Sequence, residues 1–96
     1  MKIKDEAHFN EVIKNNPKVI VDFYTDWCGP CKALGTMLSQ YSGASLIVKV
    51  DCDTMSDLAQ LYNVRSIPYV VKFENGVQTD SFVGLPTKLK LEEFLK

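Results

Sequence analysis

The chain has 96 residues, 46% of them hydrophobic, with a formal net charge of −1 and three cysteines. That length supports one modest core and not two, and charges of both signs interspersed along the chain leave no basic face for nucleic acid or an anionic membrane. No apolar stretch approaches the roughly 20 residues of a membrane span, Met1-Lys2-Ile3-Lys4-Asp5 lacks the apolar core of a signal peptide, and an odd number of cysteines fits a reducing compartment, so a cytoplasmic location is expected.

No repeat or low-complexity tract interrupts the sequence. Met1 to Lys4 reads as a short edge strand. Asp5 is placed to cap a helix to about Asn16, with Phe9, Val12 and Ile13 on its buried stripe and Pro17 ending it. Val19 to Tyr24 is an apolar run that reads as a central strand, and Trp27-Cys28-Gly29-Pro30-Cys31-Lys32 follows it and opens a second helix to about Tyr41. Ser45 to Asp51 reads as another strand and Met55 to Tyr62 as a short helix. Tyr69 to Glu74 and Val77 to Phe82, joined at Asn75-Gly76, have the pattern of an antiparallel hairpin. Thr87 then caps a last helix that buries Leu91, Phe94 and Leu95. Strands alternating with helices and followed by a hairpin imply an α/β fold, a central mixed sheet with helices on both faces. In such a sheet the functional site belongs at the carboxyl ends of the central strands, where the two cysteines fall.

Cys28 and Cys31, with two residues between them, can form and break a disulfide without the fold moving, and this spacing names thiol–disulfide exchange. The first turn of a helix carries unpaired N–H groups and the positive end of the macrodipole, which stabilise a thiolate more than a thiol, so Cys28 is the expected nucleophile. Lowering its pKa by about 1.5 units from about 8.5 raises the thiolate fraction at neutral pH from a few per cent to about half. Two other uses of the pair fit less well. Zinc needs further ligands, and only Cys52 and His8 remain, neither at a second-pair spacing. A structural disulfide gains stability by closing a long loop, and this one encloses almost none.

The hexapeptide Trp27 to Lys32 resembles the active site of the thioredoxin family, and the resemblance runs through nearly the whole chain: Val21-Asp22-Phe23-Tyr24, Val48-Lys49-Val50-Asp51, Val64-Arg65-Ser66-Ile67-Pro68, Phe73-Glu74-Asn75-Gly76 and Val83-Gly84. It implies a thioredoxin fold, one domain over 1–96, and a protein-disulfide reductase that needs no cofactor of its own. Its partners would be client proteins with disulfides and an NADPH-dependent flavoenzyme, a thioredoxin reductase, with the protein itself a monomer.

Several residues carry a second reading beside the implied one. Asp22 either faces water at a sheet edge or is buried with a raised pKa; the resemblance matches it to the family's buried acid, which takes the proton of Cys31. Lys49, alone in its strand, reads as a solvent-seeking side chain. The resemblance instead pairs it with Asp22 in a partly buried, coupled pair. Trp27 is either a core residue or an apolar wall beside Cys28 for a client chain. Pro30 fixes the backbone between the cysteines, and Gly29 keeps the approach open. Ile67 and Pro68, the bond between them expected cis by resemblance, join Val83 and Gly84 as the other walls of a client groove. Cys52 is either a small apolar filler or a regulatory thiol.

Some positions depart from the family. The stretch from Cys31 to Lys49 is about four residues short, near one helical turn, and Thr36 stands where a helix-kinking proline is common. The second helix is therefore expected to be short and straight. Tyr24 replaces a frequent tryptophan, and Tyr69 follows Pro68 in place of a frequent threonine. These departures bear on client and reductase recognition and leave the exchange chemistry intact. Two alternatives use the same fold: a thiol oxidase or isomerase, which Gly29-Pro30 disfavours, and a redox-incidental binding or adaptor subunit, which the intact cysteines, Asp22, Lys49 and Trp27 disfavour.

Overall fold

Strand β1 (Lys18–Tyr24) runs through the middle of the sheet, because its parallel neighbour β2 (Leu46–Asp51) lies on one side and the antiparallel β3 (Tyr69–Glu74) on the other. The computed structural model describes residues 1–96. Four strands lie in the order β2-β1-β3-β4, with β4 (Val77–Val83) on the outside. The parallel pair requires a crossover, which α2 (Gly29–Ser39) supplies. The other helices are α1 (Glu6–Asn15), α3 (Ser56–Leu61) and α4 (Lys88–Leu95).

Alternation along β1 divides the core into two layers. Val19, Val21 and Phe23 pack with Phe9 and Val12 of α1 and Leu58 of α3. Ile20 faces the other way, against Leu34 and Leu38 of α2 and Leu91 and Leu95 of α4. Asp22 and Tyr24, two and four residues beyond Ile20, therefore belong to the α2 side. Helices cover both faces of β1, and Asp22 is 0% exposed.

Local chemistry sets the element ends. Asp5 Oδ1 accepts the His8 N–H at 2.7 Å to start α1, and Thr87 Oγ1 accepts the Lys90 N–H at 3.2 Å to start α4. Asn75 and Gly76, at φ 52° and 81°, make the two-residue turn that matches the twist of a hairpin. Two expectations are corrected. Met1 to Lys4 forms no strand: it contributes an isolated parallel bridge, Lys2 to Lys49, closed by Ile3 N–H to Lys49 O and Lys49 N–H to Met1 O, both at 2.8 Å, because Asp5 turns the chain at once into α1. Helix α2 stops at Ser39 and not near Tyr41, since the Gln40 and Tyr41 N–H groups bond three residues back, to Met37 and Leu38, and tighten its last turn.

A buried lysine was not anticipated. Lys72 of β3 lies on the α4 face, where its Nζ donates to the Phe94 carbonyl at 3.0 Å and stands 3.6 Å from Glu74. The ammonium thereby caps the C-terminal turn of α4 against the sheet.

Candidate active site

Cys28 caps α2 and supplies the joint between strand and helix. Its extended backbone leaves the helix register, and its Sγ accepts the Cys31 N–H at 3.2 Å. Here that sulfur is half of a Cys28–Cys31 disulfide. An N–H placed there stabilises a thiolate more than a thiol. Pro30, in the first turn, sits where a helix has no internal use for an N–H. Both cysteines are buried and pack with Tyr24 and Ile67.

Asp22 lies on β1, on the face that also carries Tyr24. In the sheet it stands opposite Lys49 on one side and Val70 on the other. Neither carboxyl oxygen has a hydrogen-bond partner. Burial pushes its pKa up to about 6, against a smaller lowering by the charge of Lys49. A cavity of about 290 Å³ between α2 and β2 reaches this carboxyl and is also lined by Gly35, Ser39 and Lys49.

Lys49 is half-buried, as the second of its two readings required, but it makes no contact ion pair with Asp22: no ion-pair partner lies within 4.0 Å of its nitrogen. Its Nζ lies instead over the ring of Tyr24, 4.3 Å from the centroid. The pair acts through space, and the tyrosine that sequence reading noted only as a departure is the group the lysine touches.

The rim of the site is apolar and open. Trp27 is 73% exposed and so is no core residue, and its Nε1 donates to Asp53 Oδ2 at 2.9 Å, which fixes the indole beside Cys28. At Gly29 an added Cβ meets nothing within 4 Å outside its own turn, so the chain between the cysteines faces open space. The Ile67–Pro68 bond is cis, and the Ile67 carbonyl oxygen lies 4.0 Å from Cys28 Sγ. Gly84, at φ 88°, donates its N–H to the Pro68 carbonyl at 2.8 Å, which brings the exposed Val83 to the same rim. A larger groove, about 750 Å³ between β4 and α4, meets this rim only at Val83, and its lining carries no cysteine and no buried carboxylate.

Cys52 follows β2, half-buried, packed against the α1 and α3 layer. Burial first, then the charges of Asp51, Asp53 and Asp22, push its thiol up to about 11. It is a neutral thiol at physiological pH, which supports the apolar-filler reading over the regulatory one.

The family model named Thioredoxin matches residues 1–96. The chain is 38% identical over 97 residues to a thioredoxin of Mycoplasmoides gallisepticum, covering 98% of this chain and 97% of that one. It is 39% identical over 99 residues to a mitochondrial thioredoxin of Mus musculus, covering 98% of this chain and 60% of that longer protein. Among solved structures, a mutant thioredoxin from Halobacterium salinarum superposes with a TM-score of 0.93 at 31% identity, over 99% of this chain and 86% of that one. The oxidised form of mitochondrial thioredoxin 3 from Saccharomyces cerevisiae superposes with a TM-score of 0.90 at 31% identity, over 99% of this chain and 92% of that one.

Proposed function

Because the chain belongs to the thioredoxin family, has its fold and carries its dithiol pair, it is a protein-disulfide oxidoreductase, and we propose the following division of labour among its residues. The thiolate of Cys28 attacks one sulfur of a client disulfide; a Cys28–client disulfide forms and the other client sulfur leaves as a thiolate. The thiol of Cys31 then passes its proton to the Asp22 carboxylate and attacks Cys28 Sγ. The Cys28–Cys31 disulfide forms, the second client thiolate leaves, and two electrons have moved from the protein to the client. A flavin-dependent thioredoxin reductase returns them from NADPH.

The observation that carries this reading is the buried, unpartnered carboxyl of Asp22 on the same face of β1 as Tyr24, which shares a buried cluster with both cysteines. Client chains lie across Trp27, Gly29, Pro30, Ile67, Pro68, Val83 and Gly84, with the Ile67 backbone free to pair with an extended segment. The open apolar rim around a buried disulfide supports this placement. We place the protein in the cytoplasm, where an odd number of thiols stays reduced; no helix is long and apolar enough to cross a membrane.

The test is coupled turnover. With NADPH, a bacterial thioredoxin reductase and a protein substrate containing disulfides, catalytic amounts of this protein are expected to drive NADPH oxidation in proportion to the disulfides reduced. Reduction by dithiothreitol with no NADPH-coupled turnover would reject the reductase as donor, and no client reduction with either donor would reject the function.

A further inference from the structure

The Lys49 ammonium has three neighbours that decide where its charge sits. Asp22 is its partner in strand register yet is not in contact with it. Gly35 of α2 lies close enough that a Cβ there would stand 3.5 Å from Nζ. The ring of Tyr24 receives the ammonium on its face at 4.3 Å. A lysine side chain has several rotatable bonds and, at the sheet edge, water close by, so it adopts one position only if something holds it there. The attraction of a cation to the negative face of an aromatic ring supplies that hold, and it is strengthened when the ring is buried, as Tyr24 is. Tyr24 also shares a buried cluster with Cys28 and Cys31, so the side chain that holds the lysine belongs to the packing around the dithiol.

We propose that Tyr24 is a positioning residue for the release step, its ring face fixing the Lys49 ammonium where that charge acts on Asp22. The proposal rests on the reading that Asp22 accepts the proton of Cys31. Other titratable groups around the carboxyl come from each neighbouring element. Cys28 and Cys31, at the start of α2, share a buried cluster with Tyr24, and Cys52, which follows β2, feels the Asp22 charge. The Met1 ammonium, donating to the Ile47 carbonyl at 3.2 Å, lies at the mouth of the cavity. From β3 the register neighbour is the apolar Val70. Lys2 is exposed, and its pKa is raised by Tyr24 first and then by the charges of Asp26 and Asp51. Among all of these, only Lys49 is both cationic and in contact with the ring face.

The experiment is a carboxyl ¹³C NMR titration of Asp22 in the intact oxidised protein, beside the pH profile of single-turnover release. Tyr24→Leu and Lys49→Met are each expected to move the Asp22 midpoint upward by about one pH unit, the reach of an opposite charge nearby. Tyr24→Phe, which keeps the ring face, is expected to leave it in place, and Tyr24→Leu is expected to add nothing in the Lys49→Met background. Should Tyr24→Leu fail to fold, Tyr24→Met, which fills similar volume without a ring, replaces it. An unmoved midpoint in the ring-less variant, or an equal shift when Lys49 is already absent, overturns the proposal. The release profile judges the underlying reading separately: if Asp22→Asn keeps the pH dependence of release, Asp22 is not the acceptor, and the link from Tyr24 to release falls with it whatever the titration gives.

Discussion

Replacing Cys31 by serine is expected to leave a protein that attacks client disulfides and then cannot let go. Cys28 keeps its place at the start of α2 and its N–H donor from residue 31, so the first exchange proceeds. The resolving sulfur is gone, and the mixed disulfide accumulates until an outside thiol breaks it. Cys28→Ser is expected to trap nothing, because the sulfur that caps α2 and accepts the Cys31 N–H is then gone, and Cys31 has no such donor. Multiple-turnover reduction should fall to background in both variants. Non-reducing gels or intact mass spectrometry of each variant with a disulfide substrate check the difference. Equal trapping by both would reverse or abolish the assigned order of the thiols.

Asp22→Asn is expected to make the protein more stable and slower. The carboxyl titrates near 6 in the fold, above the ordinary 3.8, so between those values the folded state binds more protons than the unfolded one. Stability from this group is therefore fully present below pH 3.8 and is lost as pH rises through about 6. At pH 7 the ionised, unpartnered carboxylate costs about 3 kcal/mol, taking about 1.4 kcal/mol per pH unit. Asparagine removes that cost, so urea unfolding at pH 7 should give a gain of about 2–3 kcal/mol, and the gain should fade towards pH 4. The release step should slow by roughly 10²-fold at pH 7, the lower range of a lost general base. It should recover at higher pH, where Cys31 ionises to solvent unaided. A variant with unchanged stability and full activity would mean that the acid is idle.

Much of this molecule was legible because its signals are local. Caps at Asp5 and Thr87, the Asn75-Gly76 turn and the alternation of β1 act over a few residues, and each element they predict is present within two or three residues of its expected ends. The dithiol was legible for the same reason: cysteine spacing and a helix start are both read along the chain. Asp22 was harder. Its burial depends on β3 arriving on the far side of β1 and on helices covering both faces, which no window of residues contains; resemblance carried the choice between a buried and a water-facing carboxyl. The contacts of Lys49 were not legible at all, since they depend on how side chains and backbone from β1, β2 and α2 meet. Tyr24 appeared only as a substitution for a more frequent aromatic. Lys72 looked like any strand lysine, and only the packing of α4 against β3 gives its ammonium a carbonyl to cap.

The measurement that bears most directly on the function is the reduction potential of the Cys28–Cys31 pair, obtained by equilibrating the protein with glutathione or dithiothreitol buffers and quantifying the oxidised fraction. A protein that donates electrons to client disulfides must lie below a reducing glutathione pool, about −220 to −260 mV by extraction for the cytosolic one. A value more negative than that range is the predicted result. A value well above it, towards about −120 mV where strong thiol oxidants lie, would contradict the account and make the protein an oxidase built on the same fold.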